Sequence, residues 1–221
     1  MSLFACQQEE LPSNNNIGYL SLENISIQSA NVETITTRAV DTDLYVEISG
    51  NGSTTTYEPE NTPSKIELKA DNYTLKAYNA AYKAKDTLSS AHKGEAIYYI
   101  DSQSFTIEEG KVNYLSVEVP MTNSGVRLKL PDGFYEWFNK DSTSFLIKDD
   151  SRSIQLKDTN EIAYFPANKE ITYILSTRNN DNEPVADTSN IQTTEAGTIY
   201  VISYDYETQS LQLLNTPTQQ E

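Results

Sequence analysis

Asp43-Leu44-Tyr45-Val46-Glu47-Ile48-Ser49 alternates polar and apolar side chains, and Gly50-Asn51-Gly52-Ser53 follows at once. Successive side chains of a strand point to opposite faces, so Leu44, Val46 and Ile48 line one face of a half-buried strand. Glycine and asparagine tolerate positive φ, so the four residues behind the strand make a turn. This pairing of a period-two run with a turn sets the pattern for most of the chain.

Before it, Tyr19-Leu20-Ser21-Leu22 begins the first ordered strand. After it, Ile66 and Leu68 alternate, then Tyr73, Leu75 and Ala77, with Asp71-Asn72 between them as a hairpin signal. Runs at 97–100, 104–107 and 112–119 follow, the last behind the turn Glu109-Gly110-Lys111. Pro120-Met121-Thr122-Asn123-Ser124-Gly125 is the best boundary. Beyond it Val126, Leu128 and Leu130 alternate, whereas the apolar residues of Phe134-Tyr135-Glu136-Trp137-Phe138 recur at three and four, which predicts a short helix. Strands resume at 145–147, 154–156, 162–165, 171–176, 198–206 and 210–214, with Asn179 to Pro184 as a polar hairpin loop.

Short strands separated by turns every 8–12 residues are the signature of β-sandwiches. The expected fold is all-β: two consecutive sandwich domains of immunoglobulin-like or transthyretin-like type, with one short helix in the second. The expected divisions are a tether at 1–16, domains at 17–121 and 122–215, and a frayed tail at 216–221. Hydrophobic residues make up only 37%, but they are patterned, and 15 Tyr and 6 Phe supply bulk suited to strands. With 32 acidic and 16 basic residues the net charge is −16, a surface that repels phosphate backbones and anionic headgroups. Nucleic acid is therefore not an expected partner.

Cys6, the single cysteine, stands in Leu3-Phe4-Ala5-Cys6 and precedes Gln7-Gln8-Glu9-Glu10. A small residue before the cysteine and an aliphatic one three before it match a bacterial lipoprotein cleavage site, where the thiol is acylated. The alternative is a buried apolar thiol. A secretory leader needs a basic start and an apolar run of roughly 7–15 residues, which Met1 to Ala5 does not supply, so the anchor reading expects a leader encoded upstream. One thiol permits neither a disulfide framework nor a zinc cluster.

His92, the only histidine, lies in polar Ser89-Ser90-Ala91-His92-Lys93-Gly94, without a nucleophile elbow or oxyanion glycines. It reads as an exposed loop residue, and no catalytic residue, metal or cofactor is expected. Asp41-x-Asp43 and Asn179 to Glu183 lack the spacing of a known calcium loop and read as turns. Tyr78, Tyr82, Tyr98 and Tyr99 flank the least regular segment, 79–95. Long loops are often functional, which makes these tyrosines a possible ligand site, with ordinary cross-strand packing as the alternative.

Gly18-Tyr19-Leu20-Ser21-Leu22, then Thr37-Arg38-Ala39, then an alternating strand resembles lipoproteins of Gram-negative Bacteroidetes in the family called domain of unknown function 4493. Leu68-Lys69-Ala70-Asp71-Asn72-Tyr73 resembles the family's strand-turn-strand pattern. Tyr98-Tyr99 with Phe105-Thr106-Ile107 and Gly110 resembles its tyrosine pair, phenylalanine strand and glycine turn. Val126 to Leu130, Phe134 to Phe138 and Ala163-Tyr164-Phe165 resemble its second half, whereas Lys69, Asp71 and Asp101 depart from its Pro or Gly. The resemblance implies a sandwich-type outer-membrane lipoprotein akin to fimbrillin-like surface proteins. It also gives Arg38 a possible role as a protease-processing site that frees a groove for a partner's strand, against the reading of an exposed arginine between strands.

The expectation is a non-catalytic, lipid-anchored surface protein of the outer membrane, an interaction or adhesion module with a protein or glycan partner. A fimbrial subunit or tip adhesin assembled by strand addition is one alternative. A glycan-binding module of an outer-membrane uptake system is another.

Overall fold

The alternation at 44–50 forms a strand, and the turn behind it is a two-residue hairpin loop. Gly50 pairs with Ser53, and Asn51 and Gly52 take φ of 48° and 73°. Positive φ at both central residues is the hairpin turn whose twist matches the flanking strands. The computed structural model describes residues 16–28, 43–84, 93–156 and 161–214. Cys6, Arg38 and His92 lie outside the described residues. Among those described, the chain forms fifteen strands, two short helices and one 3₁₀ turn, an all-β fold of two sandwiches.

The first unit takes the described residues within Met1–Ile27, Thr37–Ala80 and Tyr99–Val119. Its strands are β1 (Ile17–Ile27), β2 (Leu44–Gly50), β3 (Ser53–Tyr57), β4 (Lys65–Lys69), β5 (Asp71–Asn79), β6 (Tyr99–Ile107) and β7 (Val112–Val119). One sheet has the order β4-β1-β7 and the other β3-β2-β5-β6. β1 runs antiparallel to β4 and parallel to β7. Leu20, Leu22 and Ile25 of β1, Leu44, Val46 and Ile48 of β2, and Leu75 and Ala77 of β5 are buried. Burying each of the larger aliphatic side chains contributes about 1.5–3 kcal/mol.

The second unit takes the described residues within Gln28–Thr36, Ala81–Tyr98 and Pro120–Glu221. Its strands are β8 (Asn123–Leu128), β9 (Ser144–Lys148), β10 (Ser153–Leu156), β11 (Ile162–Pro166), β12 (Ile171–Arg178), β13 (Pro184–Ile191), β14 (Ile199–Asp205) and β15 (Ser210–Leu213). The sheets are β11-β8-β14-β15 and β10-β9-β12-β13. Counted from the start of each unit, both follow 4-1-7 and 3-2-5-6, and the second adds an eighth strand beyond its seventh. The chain folds the same topology twice.

Residues 93–98 are fastened to the second unit by a buried amide. Asn123 Nδ2 donates to Glu95 O at 2.8 Å, and Ile97 N donates to Asn123 Oδ1 at 2.9 Å. Tyr164 N donates to Lys93 O and Thr122 N to Ile97 O. An amide that is both donor and acceptor suits such a clip.

The expected short helix is α2 (Phe134–Trp137), which follows Gly133 at φ 75°. Phe134 and Phe138, four apart, share the inward face and stack at 4.6 Å, with Tyr204 edge-on to both. A second helix, α1 (Ala80–Ala84), continues directly from β5.

The sequence expectation departs from the structure at Asp71-Asn72. β4 and β5 lie in different sheets, so that corner carries the chain from one sheet to the other and is not a hairpin. Ala70 N donates to Asn16 O there, because β4 pairs with β1.

Gly18 of β1 lies against the β6–β7 corner. A Cβ there would come within 2.2 Å of Glu108 O, a backbone atom that cannot swing aside. Gly18→Ala should therefore lower stability by about 1–3 kcal/mol. Urea unfolding should show a lower midpoint with an unchanged slope.

Candidate functional site

The outward phase of β2 and β5 carries the chemistry that the inward phase lacks. Tyr45, Glu47 and Ser49 alternate with the buried Leu44, Val46 and Ile48. Register places these side chains in rungs across the β3-β2-β5-β6 sheet. Tyr45, Tyr78 and Tyr99 are cross-strand neighbours. Thr56, Glu47 and Lys76 form the next rung, and Thr54, Ser49, Thr74 and Ser104 the one beyond. Asn72 and Thr106 close the series. An aromatic rung thus gives way to a charged rung and then to hydroxyls and an amide.

The aromatic rung is tied internally. Tyr45 and Tyr78 stack at 5.3 Å with rings 10° apart. The Tyr78 hydroxyl donates to Glu47 Oε1 at 2.7 Å, and Lys76 Nζ lies 3.5 Å from Glu47 Oε2. The same ammonium sits 5.3 Å from the Tyr78 ring centre and 5.9 Å from that of Tyr99, within cation–π range. The Tyr99 hydroxyl donates to Asp101 Oδ1. Tyr78 is only 7% exposed, so its ring is not an open stacking platform.

β6 bulges opposite Lys76: Gln103 pairs with Leu75 and Ile100 with Ala77, so Asp101 and Ser102 share one place in the ladder. Bulges of this kind re-aim a side chain. Past the bulge the face opens into a shallow groove of about 390 Å³. Ser49, Asn72, Thr74, Ser104 and Thr106 line it with their side chains, and Tyr73 and Phe105 between them lie on the inward phase, where their rings stack at 5.7 Å. Burial pushes the Tyr73 phenol above its ordinary pKa, and the nearby Asp71 charge adds to the rise.

Of the four tyrosines singled out from the sequence, the structure pairs Tyr78 with Tyr99. Tyr98 forms a bridge with Met121, and Tyr82 sits on α1 within the second unit's residues. The sequence reading missed Tyr45, Glu47 and Lys76, and it missed the hydroxyl rungs. Their signal was the polar phase of the alternation, which becomes informative only once the register is known. In the 179–183 loop, Asn179 Oδ1 accepts from the backbone N–H of Asp181 and of Glu183, a turn closed by its own side chain.

Exposed aromatic side chains also occur on the second unit, where Tyr135 and Trp137 of α2 are 46% and 64% exposed. Among the described residues no group of three or more His, Cys, Asp or Glu could hold a metal ion, and no helix is long and apolar enough to cross a membrane.

The profile of the family described as Domain of unknown function (DUF4493) matches residues 16–219. No curated protein sequence matches the chain. Among solved structures, a fimbrilin from Porphyromonas gingivalis is similar at TM-score 0.50 and 10% identity, over 84% of this chain and 88% of that one. A proposed cell adhesion protein from Parabacteroides distasonis gives 0.46 at 10% identity, over 90% and 100%. A fimbrial protein from Bacteroides ovatus gives 0.43 at 12% identity, over 87% and 49%.

Tyr78→Phe keeps the stack on Tyr45 and deletes the donor to Glu47. A hydrogen bond to a charged acceptor is worth about 1.5–3 kcal/mol, and the part-exposed carboxylate places the loss at the lower end. Thermal unfolding of the variant at neutral pH should show a lower midpoint, with the folded-state far-ultraviolet spectrum unchanged.

Proposed function

The chain belongs to the DUF4493 family, and from that membership and its fold we propose that it is a non-enzymatic adhesion module displayed at a bacterial cell surface. The observation that carries the reading is the likeness to the fimbrilin over most of both chains. The Leu3-Phe4-Ala5-Cys6 sequence supports a diacylated anchor at Cys6, with the acidic stretch behind it as part of the tether to the outer membrane. Two acyl chains hold a protein stably where one is marginal. Metabolic labelling with a fatty-acid analogue, in cells producing the chain behind a lipoprotein signal peptide, should mark wild type and leave Cys6→Ala unmarked. Equal labelling of both would remove the anchor.

A second reading, assembly into fimbriae by strand exchange, is favoured by the position of β1. That strand is the middle member of its sheet, between β4 and β7, and Arg38 follows it in the chain. A cut after Arg38 would sever β1 from the rest of its unit and leave a slot for a strand from another copy. An arginine-specific protease should release one N-terminal fragment, and the cut protein should form ladders of oligomers on size exclusion. Arg38→Gln should resist both changes. A cleaved protein that stays monomeric would end this reading.

A further inference from the structure

We propose that the groove on the outward face of the β3-β2-β5-β6 sheet binds a neutral oligosaccharide. Its polar lining is Ser49, Asn72, Thr74, Ser104 and Thr106, and no charged side chain takes part. In a chain of net charge −16 that is a local departure from the prevailing chemistry. An anionic ligand finds no cation in the groove and meets the acidic field of the whole protein. A cation finds no carboxylate there. A ligand rich in hydroxyls and free of charge meets neither penalty.

The lining groups suit such a ligand. The Ser49 and Thr54 hydroxyls share one hydrogen bond at 2.9 Å, and the Thr106 hydroxyl donates to Asn72 Oδ1 at 2.8 Å. A hydroxyl offers one donor and two acceptor positions, so these bonds leave capacity for sugar hydroxyls on each group. The backbone beneath belongs to β2, β5 and β6, paired strands of one sheet, so the groups are held on a rigid frame rather than on a loop. Tyr73 and Phe105, on the alternate phase, pair beneath the groove and back its floor with a stacked aromatic pair on the opposite side of the sheet. The volume of about 390 Å³ falls within the range of small-ligand sites, and it is open at the top, which suits the side of a chain better than a buried end group. The charged rung of Glu47 and Lys76 bounds the groove on the side of the tyrosines.

The inference is independent of anchoring and of polymerisation, because purified monomer has the groove in full. Saturation-transfer NMR on the purified chain, which reads binding near about 1 mM, tests it with two sets of probes: neutral hexose and pentose oligosaccharides, and uronate oligosaccharides of equal length. Transfer to at least one neutral probe and none to the uronates is expected. Ser104→Glu, which places a carboxylate in the groove, should weaken binding at least tenfold. Thr74→Val, nearly isosteric, should weaken it several-fold and covers the case in which Ser104→Glu does not fold. No transfer to any neutral probe, equal transfer to the uronates, or undiminished transfer in folded variants would overturn the proposal.

Discussion

Each unit depends on its first strand being held between one neighbour that runs against it and another that runs with it. β1 lies between β4 and β7, and β8 between β11 and β14. The antiparallel neighbour could be local, but a parallel one cannot, since parallel strands need a long crossover. In the first unit the crossover holds the entire opposite sheet and β4, and Tyr19 finds Val112 only after those five strands have intervened along the chain. Such non-local closure costs loop entropy before any contact repays it. It also leaves little room at the centre of the sheet. Both first strands carry a glycine where a Cβ would collide, Gly18 on Glu108 O at 2.2 Å and Gly125 on Ile162 Cγ2 at 2.9 Å.

What the sequence made legible follows from which strands bury a whole face. β2, β7 and β12 alternate cleanly because their inward side chains enter a core, and their limits were close to those expected. β3 was not foreseen, and β13 only as the undelimited strand that the hairpin loop at Asn179 to Pro184 requires. Each is an edge strand, and Ser53-Thr54-Thr55-Thr56-Tyr57 is almost wholly exposed. A strand that hydrogen-bonds on one side and buries almost no side chain leaves no apolar period to find. The corner at Ala70 failed for a different reason. Turn chemistry says that the chain bends, not whether the next strand joins the same sheet, and that choice was made by β4 pairing with β1.

The candidate face was half legible for a related reason. Grouping tyrosines by sequence proximity brought together residues 78, 82, 98 and 99, yet register selects 45, 78 and 99. Tyr45 belongs to β2, on the phase opposite to the core. The inward phase of a strand is constrained by packing and announces itself as hydrophobicity. The outward phase is constrained only by what it meets, so its order becomes visible when strands from distant parts of the chain are laid side by side.

That order separates two demands within the first unit. Strand exchange would act on β1 in the three-stranded sheet, whereas the groove lies on the outward face of the four-stranded sheet. The groove residues belong to β2, β5 and β6, none of which pairs with β1. Replacing β1 with an equivalent strand would restore the same core contacts and leave the hydroxyl rungs in register. If β1 were exchanged between copies, the outward face of the four-stranded sheet would therefore stay as it is. The net charge of −16 works against such an assembly, since like charges on neighbouring copies repel, so the contacts of an exchanged strand would have to outweigh that repulsion.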